Sequence, residues 1–115
     1  MSWTRDFFKK YKKVDGAYIQ YAAGESKDDI FRMEILRGLK YLREIDQEHG
    51  AFWVGIYNKD ENVLEVNRSL LVTGAFEDDP ENDIRYRAKS PEEVYELFDL
   101  LLDMKFDQLK QRLRS

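Results

Sequence analysis

"AFWVGIYNKDENVLEVN", residues 51–67, decides the fold. Apolar and polar side chains alternate on both sides of a polar centre, the pattern of two strands joined by a short loop. With 58–62 as the loop, Tyr57 faces Val63, Ile56 faces Leu64, Gly55 faces Glu65, Val54 faces Val66 and Trp53 faces Asn67. Side chains in a strand point alternately to its two faces. Val54, Ile56, Leu64 and Val66 therefore share one face, and Trp53, Gly55, Tyr57, Glu65 and Asn67 share the other. A slip of one residue would exchange the faces.

Outward from this hairpin, "AYIQYAA" (17–23) and "SLLVTGAF" (69–76) read as further strands. "DIRYRA" (83–88) alternates Ile84, Tyr86 and Ala88 against Arg85 and Arg87. Segment 26–48 reads as a helix. Phe31, Ile35, Leu39, Leu42 and Ile45 hold helical spacing, Ser26 and Asp29 match a capping box, and Gly50 is a stop signal. Over 29–36 the spacing of Phe31, Met33 and Ile35 also suits a strand. Gly38 within the helix costs roughly 1 kcal/mol relative to alanine. A first helix spans 3–13, with Trp3, Phe7, Phe8, Tyr11 and Val14 as its stripe and Asp15-Gly16 as its end.

"SPEEVYELFDLLLD" opens a further helix, with Ser90 as N-cap, Pro91 at the first position and Glu93 completing a capping box. Val94, Leu97, Phe98 and Leu101 form its buried stripe. The stripe that follows, Leu102, Phe106, Leu109 and Leu113, has rotated away, so a break is expected near Asp103-Met104. Adjacent strands with short loops imply an antiparallel sheet. The fold class is α+β: four to five strands with helices packed on them, helices at both termini, and one domain over 1–115.

Composition narrows the chemistry. The 115 residues hold 23 acids against 19 lysines and arginines, a net charge of −4. That balance argues against nucleic acid as partner. No cysteine is present, which excludes disulfides, thiolate catalysis and cysteine-ligated metal. The start, "MSWTRDFFKKYKK", lacks the apolar run of a signal peptide, and no stretch is long and apolar enough to span a membrane. The expectation is a cytoplasmic protein. Lys9, Lys10, Lys12 and Lys13 flank the first helix, but a short chain needs its aromatic stripe for the core rather than a membrane surface.

Charge is uneven along the chain. Residues 77–103 carry ten acids against Arg85, Arg87 and Lys89, a net of −7. Five of those acids sit in "FEDDPEND" (76–83). Ca²⁺ is the only cofactor this stretch suggests, through Asp78, Asp79, Glu81 and Asp83, but it lacks the glycine that bends a calcium loop. Hairpin loop 58–62 places Asn58, Asp60 and Asn62 at alternating positions, then has Val63 where such a loop needs glycine. The plainer reading of 77–83 is a solvated connection between strands. The remaining reading is a docking patch formed by Glu77, Asp78, Asp79 and Glu81.

Catalytic signatures are weak. His49 is the sole histidine and stands where a helix ends. Ser26 and Ser90 have capping work, and Gly16, Gly24 and Gly38 are too scattered for a phosphate loop. The second hairpin face is more informative. Trp53 and Tyr57 flank Gly55, which leaves a gap for a backbone or flat ligand, with Glu65 and Asn67 beside them.

In class and charge alone the chain resembles small inhibitor or immunity proteins that bind basic enzymes. The expectation is a non-enzymatic interaction or regulatory protein. It would bind a protein partner, or a second copy as a homodimer, through the aromatic sheet face or the acidic loop. The alternative is a small-ligand or divalent-cation-binding domain, or a small enzyme, using carboxylates of 77–83 or the 58–62 loop.

Overall fold

The computed structural model describes residues 13–44, 50–57 and 61–115, with Tyr57 as backbone only. The helix expected over 3–13 lies outside the described residues except for Lys13, as do Ile45, His49 and hairpin tip 58–60. Among the described residues six antiparallel strands form one sheet: β1 (Ala17–Tyr21), β2 (Ser26–Asp28), β3 (Ala51–Tyr57), β4 (Glu61–Asn67), β5 (Leu71–Ala75) and β6 (Ile84–Arg87). Their order across the sheet is β2-β1-β3-β4-β5-β6. Among the described residues three helices accompany them: α1 (Met33–Glu44), α2 (Pro91–Leu102) and α3 (Phe106–Leu113). The α+β class is as expected, with one strand more than the upper count.

The hairpin register is displaced by two residues from expectation. Trp53 pairs with Glu65, Val54 with Leu64, Ile56 with Asn62 and Tyr57 with Glu61. The tighter loop adds ladder pairs, and Asn62 is the residue that permits it. Asn62 is buried, but its Oδ1 accepts from Glu77 N over 3.1 Å, so no polar group is stranded. Because the displacement is even, the faces do not exchange. Val54, Ile56, Leu64 and Val66 are all at most 1% exposed.

Segment 26–32 differs more. Ser26–Asp28 is an edge strand against β1, so Ser26 and Asp29 cap nothing. Asp29 adopts a left-handed φ of 53°, and its Oδ1 accepts from Gly16 N. The segment turns there, and the helix begins at Met33, after a bridge between Lys13 and Phe31. Ile35 and Leu42 of the predicted stripe are buried, whereas Phe31 is left exposed.

α2 starts as its sequence prescribes. Ser90 Oγ accepts from Glu93 N at 3.2 Å. The Glu93 carboxylate accepts from Lys89 N at 2.7 Å, one residue earlier than a capping box implies. The helix ends in a Schellman motif: Lys105 N donates to Leu100 O, and Met104 N to Leu101 O. Met104 supplies the left-handed residue, with φ 58°. That break turns the chain so that Leu109 and Leu113 of α3 reach the same core as Leu97, Phe98 and Leu101.

All three helices bury their apolar sides with Ile19, Phe52, Val54, Ile56, Leu64, Val66 and Val72, on one face of the sheet. Each large side chain fully buried there contributes about 1.5–3 kcal/mol. Arg32, only 5% exposed, ties α1 to α2. It donates to Asp99 Oδ1 at 2.6 Å and also pairs with Asp103. Among the described residues no helix is long and apolar enough to cross a membrane.

Candidate functional site

The register dictates what the sheet's other face presents. One row crosses all six strands: Ser26, Gln20, Trp53, Glu65, Thr73 and Arg85 are successive cross-strand partners. The next row runs Asp28, Tyr18, Gly55, Val63 and Ala75. No described helix lies over these rows. Trp53, Val63, Thr73 and Ala75 are half-buried, while Glu65, Arg85 and Arg87 are exposed.

The gap expected at Gly55 is filled from within. The Tyr18 ring lies across it, so close that a Cβ on Gly55 would stand 2.6 Å from the ring. Aromatic cover of a cross-strand glycine stabilises such a pair. The Tyr18 hydroxyl then donates to Glu61 Oε1 at 3.2 Å, which fixes that carboxylate at the end of β4. Of Tyr57 only the strand position opposite Glu61 is described.

Asn67 does local work. Its Oδ1 accepts from Ser69 N, Ser69 Oγ and Leu71 N at 3.0, 2.8 and 3.1 Å, and so builds the β4–β5 turn. The acidic connection divides in the same way. Asp78 is ion-paired with Lys110 of α3, whose ammonium also stands 5.1 Å from the Phe76 ring centroid. The Lys110 bond holds the Asp78 carboxyl below its usual range. Asp79 Oδ1 accepts from Asn82 Nδ2 at 3.0 Å, while Glu77, Glu81 and Asp83 are exposed. Among the described residues no three acidic or histidine side chains are grouped to hold a metal ion.

Two regions that are separate in sequence become continuous. A depression of about 560 Å³ is lined by Glu61, Val63, Ala75, Phe76, Glu77 and Pro80. Its floor, Val63 and Ala75, belongs to the sheet face turned away from the described helices, and its rim, Glu77 and Pro80, to the acidic connection. Glu65 lies one row away on β4.

No family model, curated protein or solved structure matches this chain. The site is therefore read from its geometry. Sequence reasoning named Trp53, Glu65 and Glu77. It missed Tyr18, Glu61, Val63 and Ala75, because their nearness depends on the register and on β1 lying beside β3. Alternation in "DIRYRA" was the signal that could have placed Arg85 and Arg87 on this face.

Proposed function

We propose that the chain is a non-enzymatic protein-interaction domain. It binds a basic, partly apolar patch of another protein where the open sheet face meets the acidic connection. The observation that carries this reading is the Val63–Ala75 floor rimmed by Glu61 and Glu77, with no described helix over it. Glu61 is oriented by Tyr18, and the backbone that carries Glu77 is anchored by Asn62, so one carboxylate and the base of the other are held before any partner arrives. Held side chains lose less entropy on association. Opposite charge across an interface speeds encounter and selects the partner.

The test is retention of a partner from the source cells by immobilised protein, compared across variants. The expected result is one species held by wild type and released as salt rises. Val63→Lys and the pair Glu61→Lys, Glu77→Lys should lose it, while Gln111→Lys on exposed α3 should keep it. Equal retention by all of these would remove the sheet face from consideration.

A further inference from the structure

The opposite side of the molecule carries a second surface. Four large apolar side chains are exposed among the described residues: Phe31, Met33, Leu36 and Met104, at 36%, 40%, 44% and 45%. Three run into α1 and along its first turns. The fourth ends α2, beside Asp103, which Arg32 ties to the start of α1. Of the four, Leu36 lines the furrow between α1 and α2. The Arg32 pairing joins the start of α1 to the end of α2, so the two helices run antiparallel.

At its other end the furrow opens into a cleft of about 660 Å³ with Leu36, Leu39, Leu70 and Tyr95 among its lining. Leu70 enters it from a left-handed backbone, φ 66°. A branched side chain rarely accepts that conformation without cause. The Asn67 turn holds it there.

The two walls carry opposite charge. On the α1 side stand Lys40 and Arg43, with Arg68 at the end, and on the α2 side Glu92 and Glu96. Lys40 meets Glu44 only at 4.0 Å, and Glu96 meets Arg112 at 3.3 Å, all on exposed side chains. Along each helix these charges recur at helical spacing, three or four residues apart, as do the charges that flank a coiled-coil seam.

We infer that this furrow receives an amphipathic helix from a partner protein. That helix presents an apolar stripe to Leu36, Leu39 and Tyr95, carboxylates to the α1 wall and ammonium or guanidinium groups to the α2 wall. α1 is 12 residues long, about 18 Å, so three to four turns of partner helix fill the furrow. This is helix-in-groove recognition. Opposed walls fit a mixed-charge helix better than a uniformly charged ligand of either sign. The inference is independent of the sheet-face reading.

The test uses three synthetic helical peptides of about 18 residues that share one leucine stripe. One has glutamate on one flank and lysine on the other, one has glutamate on both, and one has lysine on both. A helix can enter in either direction, so the mixed peptide always has a matching orientation. Binding is read by fluorescence anisotropy. The expected result is saturable binding of the mixed peptide, about tenfold tighter than either uniform one.

Leu36→Asp, at an exposed position, should weaken that binding about tenfold while leaving the circular dichroism unchanged. The pair Lys40→Glu, Arg43→Glu makes both walls acidic and should move the preference to the all-lysine peptide. Val63→Lys on the sheet face should change nothing. Equal affinity for all three peptides, or none for any, overturns the inference. So does decanoate binding that is sensitive to Leu36→Asp and not displaced by the mixed peptide, which would assign the cleft to a small amphiphile. Self-association abolished by Leu36→Asp would assign it to a second copy and overturn it equally.

Discussion

Gly38 of α1 faces the ring of Phe52 on β3, and a Cβ built on Gly38 would stand 2.7 to 3.0 Å from three of its ring carbons. Phe52 is fully buried and is itself packed against Phe98 and Tyr21, with ring centroids 5.5 and 5.9 Å away. The ring has nowhere to go. By helix propensity alone, Gly38→Ala would stabilise by about 1 kcal/mol. Overpacking a core costs about 1–3 kcal/mol. We therefore expect Gly38→Ala to lower stability in denaturant titration. A variant more stable than wild type would show that helix and sheet can separate without penalty.

The Arg32 triad yields a second prediction. Removing the cation leaves Asp99 and Asp103 facing a vacated site, each side chain about a quarter exposed. Breaking a buried pair typically costs about 3–5 kcal/mol, and the partial exposure of both acids softens this to about 2–4 kcal/mol for Arg32→Ala. Asp99→Asn should cost less, because Asp103 still pairs. Equal losses for the two variants, measured by chemical denaturation, would mean that the acids do not share the arginine.

Met104 closes the Schellman motif with a left-handed φ that glycine adopts without strain. The side chain is exposed, so little packing is lost with it. Met104→Gly should stabilise the protein by up to about 1 kcal/mol. A lower thermal midpoint in the variant would reveal that the methionine makes contacts worth more than the strain.

Alongside Asp78, Glu93 should contribute to acid sensitivity. Its carboxyl lies below the usual range, first because Tyr86 donates to it at 2.6 Å and next because Lys89 N does. A depressed folded value means that stability is present above the unfolded value, about 4.3, and is lost as pH falls through the folded one. The reciprocal bond raises the Tyr86 hydroxyl. Thermal midpoints between pH 7 and pH 3 should fall less steeply for Glu93→Gln than for wild type. Tyr86→Phe should lie between them. Parallel profiles for all three would place the acid-sensitive group elsewhere.

What the sequence determined by itself was everything that depends on a few neighbouring residues. Alternation over 51–67 separates the buried Val54, Ile56, Leu64 and Val66 from the open face, and that separation survives a two-residue displacement of register because side-chain period is two. Ser90, Pro91 and Glu93 begin α2, and the rotated leucine stripe ends it near Asp103, since caps and helical periodicity act within one or two turns. Tertiary structure alone decided the rest. Ser26 and Asp29 satisfy a capping pattern, yet pairing with β1 turns Ser26–Asp28 into an edge strand, since the ladder satisfies more backbone groups than a cap. Arg32 looks like any surface arginine until α2 brings Asp99 and Asp103 to it from 67 and 71 residues away. Asp78 meets Lys110, Tyr18 covers Gly55, and Val63 and Ala75 form one floor only after strands distant in sequence have aligned. Those contacts depend on how loops close and how core volumes fill, and both are properties of the whole chain.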